Sequence, residues 1–168
     1  MALWCEPMTS ILDKCDPQRL QNFPNGTVLL PEGARTGKLH ILKSGTVEIL
    51  RGETQVAVIS DEGAVFGEMS VLLGTPHTAT VRALTDCETY LYEDAAAFMA
   101  KDAEIALAIA AMLAQRLNNA TTYLADVKNQ YADSGNHLSM VSSVLASLVN
   151  QPAKNYDPGS DREPDLQM

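Results

Sequence analysis

From Gly26 to about Tyr92 the chain alternates apolar and polar positions with a period near two. Leu39 and Ile41 are set against Lys38, His40 and Leu42, and Val47 and Ile49 against Thr46 and Glu48. Val56 and Val58 follow, then Ala79, Val81 and Ala83 against Thr78, Thr80 and Arg82, and "CETYLY" (87–92) supplies a further strand. Short alternating segments divided by glycine-containing turns predict a small antiparallel barrel or jelly roll. "KSGT" predicts a two-residue hairpin at Ser44-Gly45. Ahead of this region, residues 9–23 ("TSILDKCDPQRLQNF") predict a short helical entry broken near Pro17, so residues 1–25 read as a helical lead-in.

Beyond Glu93 the period becomes helical, through a run rich in strong helix formers that holds neither Pro nor Gly until Gly135. Leu113, Leu117, Ala120, Leu124, Val127 and Tyr131 follow one another at spacings of four and three, the a/d seam of a coiled coil. The register continues through Ser134, Leu138, Val141, Leu145 and Leu148. A helix of about thirty residues is roughly 45 Å long, more than a small barrel can cover. The seam therefore predicts a parallel homodimer, the alternative being a helix packed on its own domain. Register favours an unbroken helix over 102–150, whereas "DSGN" at 133–136 favours a break. Residues 151–168, with three prolines and few apolar positions, read as a disordered tail.

Composition narrows the choice of partners. The 168 residues suffice for one compact domain and an extension. A formal charge of -9 argues against nucleic acid or an anionic membrane as partner, since both require a basic face. No apolar run approaches the roughly 20 residues of a bilayer span, and "MALWCEPMTS" lacks the pattern of a secretory signal. Cys5, Cys15 and Cys87 have no metal-ligand spacing and read as free thiols, which suits a cytoplasmic protein.

The chemistry is concentrated in "FGEMSVLLGTPHTATVRA" (66–83). Gly67 permits close backbone approach, and Glu68-Met69-Ser70 opens a short helix whose first N–H groups can face an anion. Together with "GTVLLPEGARTGKLHILKSGTVEIL" and the long helix, this stretch resembles the cyclic-nucleotide-binding domain, and the helix resembles the dimerisation helix of bacterial catabolite-activator regulators. The resemblance covers about Phe23 to Val127. It implies a mainly β, α+β fold: an antiparallel jelly-roll β-barrel over 26–101, flanked by short helices and followed by a long C-terminal dimerisation helix, with a phosphate-binding cassette at 66–80. It also implies that Glu68 meets a ribose hydroxyl, that Thr78 lies beside the phosphate, and that Thr121 or Thr122 meets the purine. The ligand implied is cAMP or cGMP; no other cofactor and no metal is indicated.

One position departs from the family pattern, Pro-Arg-(Ala/Ser/Thr)-Ala-(Thr/Ser)-Val, in that His77 replaces the arginine. Arginine offers a permanently charged fork to phosphate, whereas imidazole is mostly neutral at pH 7. Losing a charged hydrogen bond costs roughly 1.5–3 kcal/mol, so affinity should fall on the order of 10- to 1,000-fold. Alternation places Arg82 on the opposite face, and Arg35 and Lys38 stand in the loop and strand after "PEG". His40, where the family often has Tyr, reads as a surface or second-layer residue.

His40, His77 and His137 lack the His-x-His spacing of a jelly-roll metal enzyme, and no nucleophilic triad is recognisable. The acidic segment after the long helix does not fit a DNA-binding domain. The sequence thus predicts a non-enzymatic, homodimeric, cytoplasmic regulatory protein in which cAMP and cGMP binding is weakened or lost. A genuine cyclic-nucleotide sensor with an altered phosphate mode is the alternative, and the helical segment after Gly135 is a candidate dock for a protein partner.

Overall fold

The computed structural model describes residues 10–130 and residue 144. The expected break at 133–136, the tail at 151–168 and the seam position Tyr131 lie outside these residues. The described residues divide into two units, parted between Leu113 and Ala114.

In the first unit, eight strands form an antiparallel sandwich of two four-stranded sheets. They are β1 (Leu20–Phe23), β2 (Val28–Leu30), β3 (Leu39–Ser44), β4 (Val47–Arg51), β5 (Thr54–Ile59), β6 (Val65–Phe66), β7 (Thr80–Ala83) and β8 (Cys87–Tyr92). One sheet runs β1-β8-β3-β6 and the other β2-β7-β4-β5. Helix α1 (Glu68–Leu73) interrupts the strands, and α2 (Ala95–Lys101) and α3 (Ala103–Gln130) follow them. The predicted jelly roll is therefore present, flattened into two layers.

The first sheet is covered on both faces. Leu42, Phe66 and Cys87 meet Leu30, Val47, Val81 and Ala83 of the second sheet in the sandwich interior. On the other face Leu39, Ile41 and Val65 pack with Phe98 and Met99 of α2 and Ile105 and Ile109 of α3. This double burial corrects the reading of β3: Leu39, His40, Ile41 and Leu42 are all buried. His40 lies opposite Phe66 in the β3–β6 ladder, meets the Phe23 ring edge-on, and stands 2.9 Å from the Thr89 hydroxyl.

Three further expectations are corrected. Residues 9–23 do not end as a helix: 3₁₀ turns at Ile11–Lys14 and Pro17–Arg19 give way to β1, which pairs with β8. Ser44-Gly45 does not close a hairpin, because β3 and β4 belong to different sheets. It turns a corner so tight that a Cβ on Gly45 would lie 2.4 Å from the Asp86 carbonyl. The two-residue hairpin is Gly52-Glu53, which joins β4 to β5 with Arg51 opposite Thr54. Finally, the helical run after Glu93 is interrupted at Asp102, whose backbone is extended and whose carboxylate accepts from the Glu104 N–H at 2.9 Å, starting α3 anew.

Of the seam residues, Leu113 is half-buried and packs in part against the helical core of the first unit. In the second unit Leu117 and Ala120 are exposed, and Leu124 and Val127 are intermediate. No described helix is long and apolar enough to cross a membrane.

Candidate functional site

The cassette starts at the end of β6, where the chain turns through Gly67 at φ 100° into α1. A side chain there is excluded: a Cβ on Gly67 would stand 2.3 Å from the Lys38 carbonyl oxygen and 3.2 Å from Leu30 Cδ1. The glycine expected to admit a ligand thus first admits the backbone of its own neighbouring strand. No side chain caps the start of α1. Glu68 is only 2% exposed, whereas Met69 is exposed at 46%.

Ser70 closes the other end of α1. Its hydroxyl donates to the Thr75 carbonyl at 2.6 Å, and its own carbonyl accepts from Gly74 and Thr75 N–H groups. The buried Ser70 is therefore committed to the turn that sets the following loop, not aimed outward.

That loop carries His77, buried at 6% exposure. Its Nε2 lies 2.8 Å from Thr36 Oγ1, its backbone N–H donates to the Ala34 carbonyl, and its carbonyl accepts from the Gly33 N–H. His77 thus fastens the cassette loop to the loop between β2 and β3. Burial pushes its pKa below the ordinary 6.5, so the imidazole is neutral at pH 7. Thr78 is exposed, and its carbonyl accepts from Arg51 Nε at 3.2 Å.

Of the remaining cations near the cassette, two are paired with carboxylates and one is held by a main-chain carbonyl. Arg82 reaches Glu48 through Nε at 2.7 Å and through a terminal nitrogen at 2.6 Å. Because Val81 and Ala83 point into the sandwich, this pair occupies the other face of β7. Lys38 pairs with Glu93 at 3.0 Å, and Arg35 donates from Nη1 to the Gly74 carbonyl.

Gly67, Glu68, Met69, Ser70, His77 and Thr78 therefore come together in one loop–helix–loop of the first unit. Thr121 lies in the second unit, where its hydroxyl donates to the Leu117 carbonyl one turn earlier in α3 at 2.8 Å. Sequence reasoning missed Thr36 and Arg51. Arg51 was within reach of a signal, since Arg51-Gly52-Glu53-Thr54 is a short glycine turn between alternating segments. Among the described residues no group of three or more His, Cys, Asp or Glu side chains could hold a metal.

Residues 20–99 match the family model described as the cyclic nucleotide-binding domain. Human cGMP-dependent protein kinase 2 is 26% identical over 88 residues, covering 47% of this chain and 11% of that protein. The cAMP-dependent protein kinase regulatory subunit of Candida albicans is 32% identical over 66 residues, 39% of this chain and 14% of that protein. The match thus spans only a small fraction of these relatives. Among solved structures, Thermus thermophilus Catabolite Activator Protein superposes with a TM-score of 0.57 at 22% identity, covering 84% of this chain and 87% of that one. A PKAR CBD2 with bound Sp-2Cl-cAMPS gives 0.51 at 21% identity, covering 70% and 82%. These two likenesses establish the shared fold.

Proposed function

Since residues 20–99 belong to the cyclic nucleotide-binding domain family, we propose that the chain is a non-catalytic regulatory module whose affinity for cAMP and cGMP is weakened or lost. It acts through self-association along α3 and through contacts with a protein partner, in the cytoplasm. The observation that carries this reading is His77. It stands where the family pattern has the phosphate-binding arginine, is buried, and is tied to Thr36. A neutral imidazole already facing a hydroxyl offers a phosphodiester neither charge nor a fork of donors. Arg82 cannot substitute while it pairs with Glu48.

A second reading, a sensor with an altered phosphate mode, draws support from Glu68, still buried at the head of α1, and from the uncapped helix start above it. Calorimetric titration of the full chain with cAMP and cGMP at about pH 5.5 and about pH 7.5 separates the two. The weakened module gives no saturation at either pH below millimolar ligand. A sensor that recruits the imidazolium binds more tightly at the lower pH, because a bound phosphate favours the charged ring. In His77→Arg, binding should appear or strengthen by about tenfold or more, and its failure to do so would show that the rest of the pocket has been lost as well.

A further inference from the structure

Charge is unevenly committed around the cassette of this acid-rich chain. Lys14, Lys38, Lys43 and Arg82 each pair with a carboxylate. Arg35 and Arg51 form no ion pair among the described residues. Each is exposed and donates to a main-chain carbonyl of the cassette loop, Arg35 to Gly74 and Arg51 to Thr78. Those carbonyls are four residues apart, hence separated by at most about 14 Å.

The two arginines stand on segments that the backbone joins firmly. Gly33 and Ala34 exchange main-chain bonds with His77. The Glu32 N–H donates to Thr80 Oγ1 at 3.0 Å, and the Gly52 N–H donates to the Glu32 carboxylate at 2.8 Å. The loop after β2, the β4–β5 turn and the cassette loop therefore meet at one junction, with both guanidinium groups exposed there.

The donor inventory decides what such a junction can hold. A guanidinium has five N–H donors in a planar fork. Arg51 uses Nε on Thr78 and keeps both terminal nitrogens; Arg35 uses Nη1 and keeps Nε and its second terminal nitrogen. Each can still present two donors to phosphoryl oxygens. A cyclic phosphodiester brings a single negative charge and two free oxygens to the two forks. Two adjacent phosphoryl groups bring more charge and more acceptor oxygens to the two guanidinium groups, against the repulsion of Glu32 and of Glu53 in the β4–β5 turn.

We propose that Arg35 and Arg51 form a binding site for a linear diphosphate group at the outer margin of the cassette. The site is separate from the pocket that His77 compromises, so the chain would respond to linear rather than cyclic phosphates. The test is a titration of the full chain, at low salt and about pH 7.5, with inorganic pyrophosphate, ADP, AMP and cAMP. Pyrophosphate and ADP should saturate below millimolar concentration, with AMP and cAMP at least about tenfold weaker. Tighter binding of ADP than of pyrophosphate assigns part of the recognition to the nucleoside; equal binding assigns it to the diphosphate alone, and either accords with the proposal. Arg35→Ala and Arg51→Ala should each weaken the diphosphates about tenfold or more, while Arg19→Ala leaves them unchanged. Both arginines are exposed, so the variants should melt as the parent does, and phosphorus NMR line broadening gives a second readout. Absence of saturation up to about 10 mM of either diphosphate, or unchanged binding in the Arg35→Ala/Arg51→Ala double variant, would overturn the site. The cAMP arm reports separately on the reading of His77, so either can fail without the other.

Discussion

His77 Nε2 and Thr36 Oγ1 lie 2.8 Å apart and join the cassette loop to the loop after β2. The side chain that replaces an arginine in the family pattern is thus part of the fold's own bonding. Thr36→Val keeps the shape and removes the hydroxyl, leaving a buried ring nitrogen without this partner. The expected loss of stability is about 1–3 kcal/mol, read from urea denaturation. In His77→Phe/Thr36→Val the combined loss should be smaller than the sum of the single losses, because both substitutions delete the same bond. Strict additivity would mean that the two side chains are energetically independent.

Gly67 and Gly74 make a matched pair, since both have positive φ, at 100° and 65°. At Gly74 a Cβ meets nothing within 4 Å, whereas at Gly67 it runs into the Lys38 carbonyl. Gly74→Ala should cost only the conformational penalty of about 1–2 kcal/mol. Gly67→Ala must also move β3 or α1, and should exceed about 3 kcal/mol or prevent folding. Thermal melts of both variants check the order; equal costs would contradict the packing described at Gly67.

How far the sequence reveals the molecule follows from what each residue touches. Alternation exposed β7 and β8 because the more deeply buried positions of each fall on one face; β4 alternates in sequence, but Glu48 on its outer face is buried as well, paired with Arg82. Alternation misled at β3, where both faces are covered and period two carries no information about which side is wet. It missed β1, whose Leu20–Phe23 has only four residues and follows two 3₁₀ turns. The cassette was legible in its Gly-Glu and Pro-His spacing, because those residues are local in sequence. The Thr36–His77 bond, 41 residues long in sequence, and the Arg51–Thr78 bond, 27 residues long, were not. Such contacts depend on which loops the topology brings together, and no local pattern encodes that.

His40 predicts a pH effect with a definite sign. Burial, more than the nearby charge of Lys38, lowers its pKa from 6.5 to about 4. The folded state therefore resists a proton that the unfolded chain accepts. Stability is intact above pH 6.5 and is lost as the pH falls from there towards 4, by at most about 3 kcal/mol at 1.36 kcal/mol per unit. Denaturation midpoints measured across that window should fall more steeply in the parent than in His40→Gln, which cannot take up a proton. Parallel slopes would show that the carboxylates alone account for acid sensitivity.

The helix seam gives the last test. Leu117 is 47% exposed in the single chain, while Leu113 is already partly used by the core of the first unit. If a second copy covers the stripe, Leu117 and Leu124, one heptad apart, both enter a positions, where a carboxylate is strongly disfavoured. Leu117→Glu/Leu124→Glu should then sediment as a monomer while the parent sediments as a dimer at micromolar concentration. Glutamate is a good helix former, so the helical circular-dichroism signal should fall only as far as α3 depends on its partner. A parent chain that is itself monomeric would assign the stripe to contacts within one chain and would remove self-association from the proposed mode of action. A parent dimer that survives both substitutions would move the interface off this stripe, leaving Leu117 as a surface residue.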